Sequence, residues 1–224
     1  ERLGRLTEDV LGDFSSGDDD YDDDDYDDYD DEDDFDTGFE GLEDGYDDES
    51  GIQKNNGIIG YWHSDNDTRN LISEDGVLNG SLDFDEGVWD FGWKFDGLNN
   101  FINFDDIYDL GDEGFSISLW VRGGENGEVL IVKDDWAGVD NGIFIFNRND
   151  NGNYAYWNGS AILDFGNNDG EWHHLLVTRN KTNKEVKTYY DGIMSGKLFD
   201  ERNLQNDKKF RIGVTNDDVG FFNG

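Results

Sequence analysis

Four kinds of side chain in this sequence have the types and spacing to do chemistry. The first are oxygen donors. Residues 64–70 read SDNDTRN and place Asp65, Asp67 and Asn70 together just after an apolar run. Clustered carboxylate and amide oxygens suit a hard cation such as calcium, and a plain Asx-rich loop uses the same residues. Residues 147–153, NRNDNGN, loosely follow a calcium-loop pattern, but they lack the leading Asp and the distal Glu. DNG at that place is an ordinary hairpin turn. The second kind is the histidine pair His173–His174 in EWHHLLVTR, candidate bases that a strand would send to opposite faces. The third is a set of tryptophans beside Asp or Asn, Trp136 in KDDWAGVDNG and Trp157 in YWNGS. Such rings can stack on a sugar, and core packing or a hairpin tip is the plainer use. The fourth is four N-x-[ST] sequons, at Asn66, Asn79, Asn158 and Asn180, each in an expected turn where a glycan has room.

The charge of the chain limits its partners. It has 224 residues, 55 acids, 17 Lys and Arg, and a formal net charge of −38. Residues 1–50 hold 25 of the acids and 2 of the basic residues, so the charge is concentrated at one end. Its densest stretch is GDDDYDDDDYDDYDDEDDFD, residues 17–36. Such a chain repels nucleic acid and anionic membrane surfaces and attracts cations and basic protein surfaces. There is no Cys, hence no disulfide, thiolate metal site or thiol nucleophile. Nothing reads as a transmembrane span or a signal peptide, so no membrane insertion is expected.

Three segments follow from the texture of the sequence. Residues 1–16 place Leu3, Leu6, Val10, Leu11 and Phe14 near a helical period and read as a docking segment or a frayed terminus. Residues 17–54 form the acidic Asp/Tyr-rich extension, expected to be solvated or to bind calcium, with Tyr21, Tyr26, Tyr29 and Phe35 as possible anchors. From residue 55 to 224, short aromatic and β-branched runs alternate with Gly/Asn/Asp turns. Strands are expected near 57–62, 88–95, 100–104, 114–122, 127–133, 142–147, 153–157, 161–165, 171–179, 185–191, 209–214 and 219–222. With no amphipathic helix among them, the fold class is all-β: a two-sheet antiparallel sandwich with an acidic N-terminal extension.

The stretches GIIGYWHSDND, WKFDGLNNFINFDD, FSISLWVRGG, EWHHLLVTRNKTNKEVKTYYDGIMSGKL and FRIGVTN resemble successive strands of LamG-like (laminin G-like) jelly rolls. These belong to the concanavalin A-like superfamily, and the resemblance spans roughly residues 55–224. It implies a jelly-roll sandwich and a calcium position near Asp65, Asp67 and Asn70. It implies no single function, because the fold serves adhesion, glycan binding and scaffolding. The superfamily's glucanases use an E-x-D-x-x-E acid pair, which GENGEVLIVKDDW, with Glu125 and Glu128, does not reproduce. No G-x-S-x-G is present either, so no enzyme is expected and no catalytic residue is assigned. The resemblance also implies a last strand following a glycine such as Gly224. A sandwich without it exposes backbone groups and a strip of core. A chain that continues, an N-terminal segment folded back, or a strand donated by a neighbouring copy would each fill the gap. The reading that results is a non-enzymatic, extracellular structural or adhesive protein assembled into homopolymers through its N-terminal extension. The alternative is a calcium-dependent module that binds surface glycans.

Overall fold

A computed structural model describes residues 57–64, 67–134 and 141–224. These belong to the second of the two units into which the chain divides, Asp44–Gly224. The docking segment 1–16, the acidic extension 17–54, Asp65, Asn66 and Trp136 lie outside the described residues.

The described residues form thirteen strands and no helix. In chain order they are β1 (Val77–Asn79), β2 (Asp83–Glu86), β3 (Phe91–Lys94), β4 (Phe101–Asn103), β5 (Phe115–Val121), β6 (Val129–Lys133) and β7 (Ile143–Asn147). They continue with β8 (Asn153–Trp157), β9 (Ile162–Asn167), β10 (His173–Arg179), β11 (Glu185–Tyr190), β12 (Ile193–Phe199) and β13 (Arg211–Ile212). A large sheet runs β1-β4-β13-β6-β7-β8-β9, a small one β12-β11-β10-β5, and β2-β3 is a separate hairpin. Every strand pairing is antiparallel. Stacked face to face, the sheets make the expected jelly-roll sandwich.

Alternation decides what faces what. In β5, FSISLWV, Phe115, Ile117, Leu119 and Val121 turn inward while Ser116, Ser118 and Trp120 turn out. β10 runs opposite it, with Leu175 across from Leu119 and His174 across from Trp120. The core is built of Ile131, Ile143, Ile145, Tyr154 and Tyr156 from the large sheet against Leu175, Val177 and Val186 from the small one. Each such side chain contributes about 1.5–3 kcal/mol on leaving water. β6 and β7 are buried along their whole length, which fits their continuous apolar sequences VLIVK and IFIFN.

Two expected strands do not form. In 57–62, the Tyr61 N–H bonds the Asn70 side chain and the Tyr61 carbonyl accepts from Leu71, so no ladder develops. In 219–222 the backbone bonds diverge: Val129 donates to Gly220, Phe222 to Gly213, and Gly97 to Phe222. The last residue exchanges bonds with Phe95 at 2.8 and 3.2 Å. The chain therefore reaches Gly224 beside β3, and β5 keeps one unpaired edge among the described residues. Strands β1, β2 and β12 were not expected from the sequence. They are short or mostly exposed, and IMSGKLF carries little of the apolar alternation that marks a strand.

Candidate functional site

The unpaired edge of β5 opens onto a cleft of about 730 Å³. All of Phe115–Arg122 borders it. Its floor is the inner face of the large sheet, at Leu130, Ile131, Ile143 and Ile212. Its far wall is Ile59–Ser64 together with Gly87–Trp93. The interior is apolar because Phe115, Ile117 and Leu119 point into the sandwich, and they stay half-buried with no strand beside them among the described residues.

At the mouth the chemistry changes. Trp120 lies on the polar face of β5 and is 42% exposed, and Trp89 is 73% exposed. Their rings meet edge to face at 6.0 Å and 87°. Trp89 sits in the β2–β3 turn, which is closed by the Gly87 N–H donating to Asp90 O at 2.9 Å, with Asp90 at φ 49°. On the other side of Trp120 is His174, with ring centroids 5.2 Å apart. His174 Nε2 and Ser118 Oγ are 2.8 Å apart. The Arg122 guanidinium stacks 5.0 Å above Trp172 at the end of the row. Two exposed rings flanked by a hydroxyl, an imidazole and a guanidinium combine apolar faces with hydrogen-bonding groups.

Ser118–His174 has the distance of a nucleophile–base pair, but not its surroundings. A working pair needs an acid on the other imidazole nitrogen and donors for an oxyanion. The nearby carboxylate of Asp191 accepts instead from the His174 backbone N–H at 2.9 Å. His173 is held differently, with Nδ1 2.8 Å from Asp191 and Nε2 2.9 Å from Asp169. Burial pulls its pKa down, but hydrogen bonds to Asp169 and then Asp191 outweigh this and leave it raised. The Asp169 carboxyl is lowered in return, first by its bond to His173. The Tyr190 ring stacks on His173 at 4.5 Å, and burial pushes its hydroxyl up to about 12.

The residues expected to act are scattered. Asn70 is buried, and its Oδ1 accepts three backbone N–H groups, from Tyr61, Ile72 and Ser73. Its Nδ2 donates to Ser73 Oγ and to the Tyr108 hydroxyl. Asp67 binds both the backbone N–H and the Nε of Arg69. The oxygens of Asp67 and Asn70 are thus bonded to backbone N–H groups and to Arg69. Among the described residues no three His, Cys, Asp or Glu side chains gather around a common point. Trp157 packs on Phe144 at 5.1 Å, in a cluster on the large sheet away from the cleft. Asn158 is 1% exposed, and its Oδ1 accepts from Ser160 and Ala161. Asn79 is half-buried and Asn180 exposed. Trp89 and Trp120 escaped the sequence reading. Trp120 was legible as the aromatic on the serine face of FSISLWV, whereas Trp89 lay inside an expected strand.

A two-sheet antiparallel sandwich of this strand order is a jelly roll. The chain belongs to the concanavalin A-like lectin/glucanases superfamily, whose laminin G-type profile matches residues 96–224. Domain 4 of AbnA, a GH43 extracellular arabinanase from Geobacillus stearothermophilus solved with arabinotriose, is 18% identical. The match covers 72% of this chain and 84% of that one, with a TM-score of 0.59. A SAP-like pentraxin from Limulus polyphemus is 12% identical over 58% of this chain and 70% of that one, at a TM-score of 0.44. Domains LG4-5 of the mouse laminin α1 chain are 13% identical over 66% and 38%, at 0.41. At 18% identity the likeness to the arabinanase domain is one of fold. No curated protein sequence matches the chain.

Proposed function

We propose that this domain is a non-enzymatic carbohydrate-binding module that works outside the cell. One observation carries the reading: Trp89 and Trp120 stand exposed side by side next to Ser118 and His174. Large apolar rings in water cost free energy unless a ligand covers them, and paired rings beside hydroxyl-binding groups suit the apolar face and hydroxyls of a sugar. The net charge of −38 favours neutral glycans over polyanionic ones. The arabinotriose held by the arabinanase domain supplies a first probe. A non-enzymatic role is supported by the Ser118–His174 pair, whose imidazole hydrogen-bonds no acid among the described residues. Among the described residues no helix is long and apolar enough to cross a membrane. Calcium is no part of the proposed contact, because the rings and their polar neighbours do not depend on it.

The test is calorimetric titration with arabinotriose and a panel of neutral oligosaccharides, repeated after chelation. Saturable binding that Trp89→Ala and Trp120→Ala each weaken is expected. Binding of no panel member, or unchanged binding by the double variant, overturns the reading.

A second reading is a structural or adhesive subunit whose N-terminal extension completes a neighbouring copy's sandwich and builds a filament. The specific observation favouring it is that the second edge of β5 is unpaired among the described residues. Deleting residues 1–50 then abolishes polymers in electron micrographs; polymers that survive the deletion exclude it.

A further inference from the structure

The two neighbouring histidines of β10 lie on opposite faces of the small sheet and are joined by one carboxylate. His174 faces outward beside Trp120, with 5.2 Å between the rings and Nε2 2.8 Å from Ser118 Oγ. His173 pairs with Val121, on the inward-facing side of β5. Its side chain is 12% exposed, and each ring nitrogen meets a carboxylate. Nδ1 lies 2.8 Å from Asp191 Oδ2 and Nε2 lies 2.9 Å from Asp169 Oδ1. A neutral imidazole has a single N–H, so two ionised carboxylates on its two nitrogens call for imidazolium. Asp191 sits in the β11–β12 turn at φ 49°, followed by Gly192 at 79°. Its other oxygen accepts the His174 backbone N–H at 2.9 Å, and its own N–H donates to the His174 carbonyl at 2.9 Å. Asp191 thus holds His173 by its ring and His174 by its backbone.

The groups packed around His173 favour its charged form. Asp169 comes from the β9–β10 loop, where it also accepts the Glu171 N–H at 3.0 Å. Burial raises the Asp191 carboxyl, but its bonds from the His174 N–H and then His173 outweigh this and leave it lowered. Neither carboxylate has a lysine or arginine partner among the described residues. From β11 the Tyr190 ring stacks on His173, and its hydroxyl donates to Asn167 O at 2.6 Å. Beyond it, on β8, burial raises the Tyr154 hydroxyl, which donates to Gly123 O at 2.8 Å. His174 is the remaining titratable neighbour, on β10 itself.

We infer that His173 is a positioning residue whose imidazolium, acting through Asp191, fixes His174 beside Trp120, so that the domain binds neutral sugar more tightly at acidic than at alkaline pH. The inference rests on the carbohydrate reading proposed above. A neutral His173 ring donates to only one of the two carboxylates, and that bond loses the charge that makes it about twice as strong. Asp191 then holds His174 less firmly, and the imidazole beside Trp120 and Ser118 loses its fixed place. The coupling is reciprocal: a sugar that binds the protonated form better raises the proton affinity of His173 by the same factor.

Two measurements on the full chain test this together, over about pH 5 to 9. One is calorimetric titration with arabinotriose and the neutral oligosaccharide panel. The other is NMR titration of the His173 and His174 ring resonances with and without sugar. Affinity is expected to fall about tenfold as pH rises through the His173 midpoint, and saturating sugar to raise that midpoint by about one pH unit, the linked equivalent of tenfold. His173→Gln is expected to bind at the parent's weaker, alkaline level at every pH, with no transition. If that variant fails to fold, the ring titrations of the unmodified protein still decide. A His173 midpoint unmoved by sugar overturns the inference and leaves the carbohydrate reading standing. So does a pH transition that His173→Gln retains, whether it follows the His174 resonance or appears as a uniformly weaker copy of the parent's profile. Binding of no sugar at any pH overturns both together.

Discussion

Lys133 lies at the inner end of the cleft and permits a quantitative test of how that end is held. Its ammonium donates to Asp106 Oδ1 at 2.8 Å and to the carbonyl of Lys208 at 2.9 Å, with Asp109 Oδ1 at 3.3 Å. The Lys133 side chain is 2% exposed, while those of Asp106 and Asp109 are 49% and 40% exposed. The cation has left water and the anions have not, so the two sides of the interaction should respond unequally to mutation. Lys133→Met removes the buried charge at similar volume and leaves two carboxylates free to rehydrate. Charge-assisted hydrogen bonds worth about 1.5–3 kcal/mol are lost, partly offset because no ammonium is desolvated. The net expectation is a loss of about 1–2 kcal/mol. The pair Asp106→Asn and Asp109→Asn strands the ammonium instead, which costs about 3–5 kcal/mol. Adding Lys133→Met to that pair should then restore about 2 kcal/mol. Urea unfolding followed by tryptophan fluorescence measures all three. If the double Asn variant is no less stable than Lys133→Met, or if Met gives no rescue, these carboxylates do not hold the lysine.

Other expectations concern single sites. His173 has a raised pKa in the fold, so its stabilising effect is complete below its ordinary value of 6.5 and fades as pH rises through the raised value. Thermal melts of His173→Gln should fall short of the parent most at low pH within the range 5–9 and converge toward high pH; a constant gap refutes the charge pairing. Asn70→Ala removes the partner of three backbone N–H groups and should cost about 2–4 kcal/mol, with melts unchanged by chelation before and after. A chelation-sensitive melt would support the calcium expectation instead. Trp157→Ala should destabilise the fold while leaving oligosaccharide affinity intact, whereas Trp120→Ala should weaken binding about thirtyfold, the weight of an aromatic anchor. In a glycosylating host, peptide mass mapping should find Asn180 modified and Asn158 bare.

Much of the sandwich is legible in the sequence. FSISLWV alternates cleanly, EWHHLLVTR and EVKTYYD carry the β-branched and aromatic texture of strands, and VLIVK and IFIFN announce burial on both faces. Period and composition suffice there, because each of those strands has a partner on hand. Texture misled at 57–62 and 219–222. A strand needs a neighbouring backbone, and those segments bond side chains or scattered carbonyls instead. Asn70 shows a similar ambiguity, since amide oxygens that suit a cation also suit a turn, and three local N–H groups bond this one.

The sequence by itself determined the all-β class, the concentration of negative charge in one end, and the superfamily. Those depend on composition and on short-range pattern, which survive without coordinates. Tertiary structure alone decided where the exposed chemistry lies. Trp89 and Trp120 are thirty-one residues apart, and only the meeting of the β2–β3 turn with the face of β5 makes them neighbours.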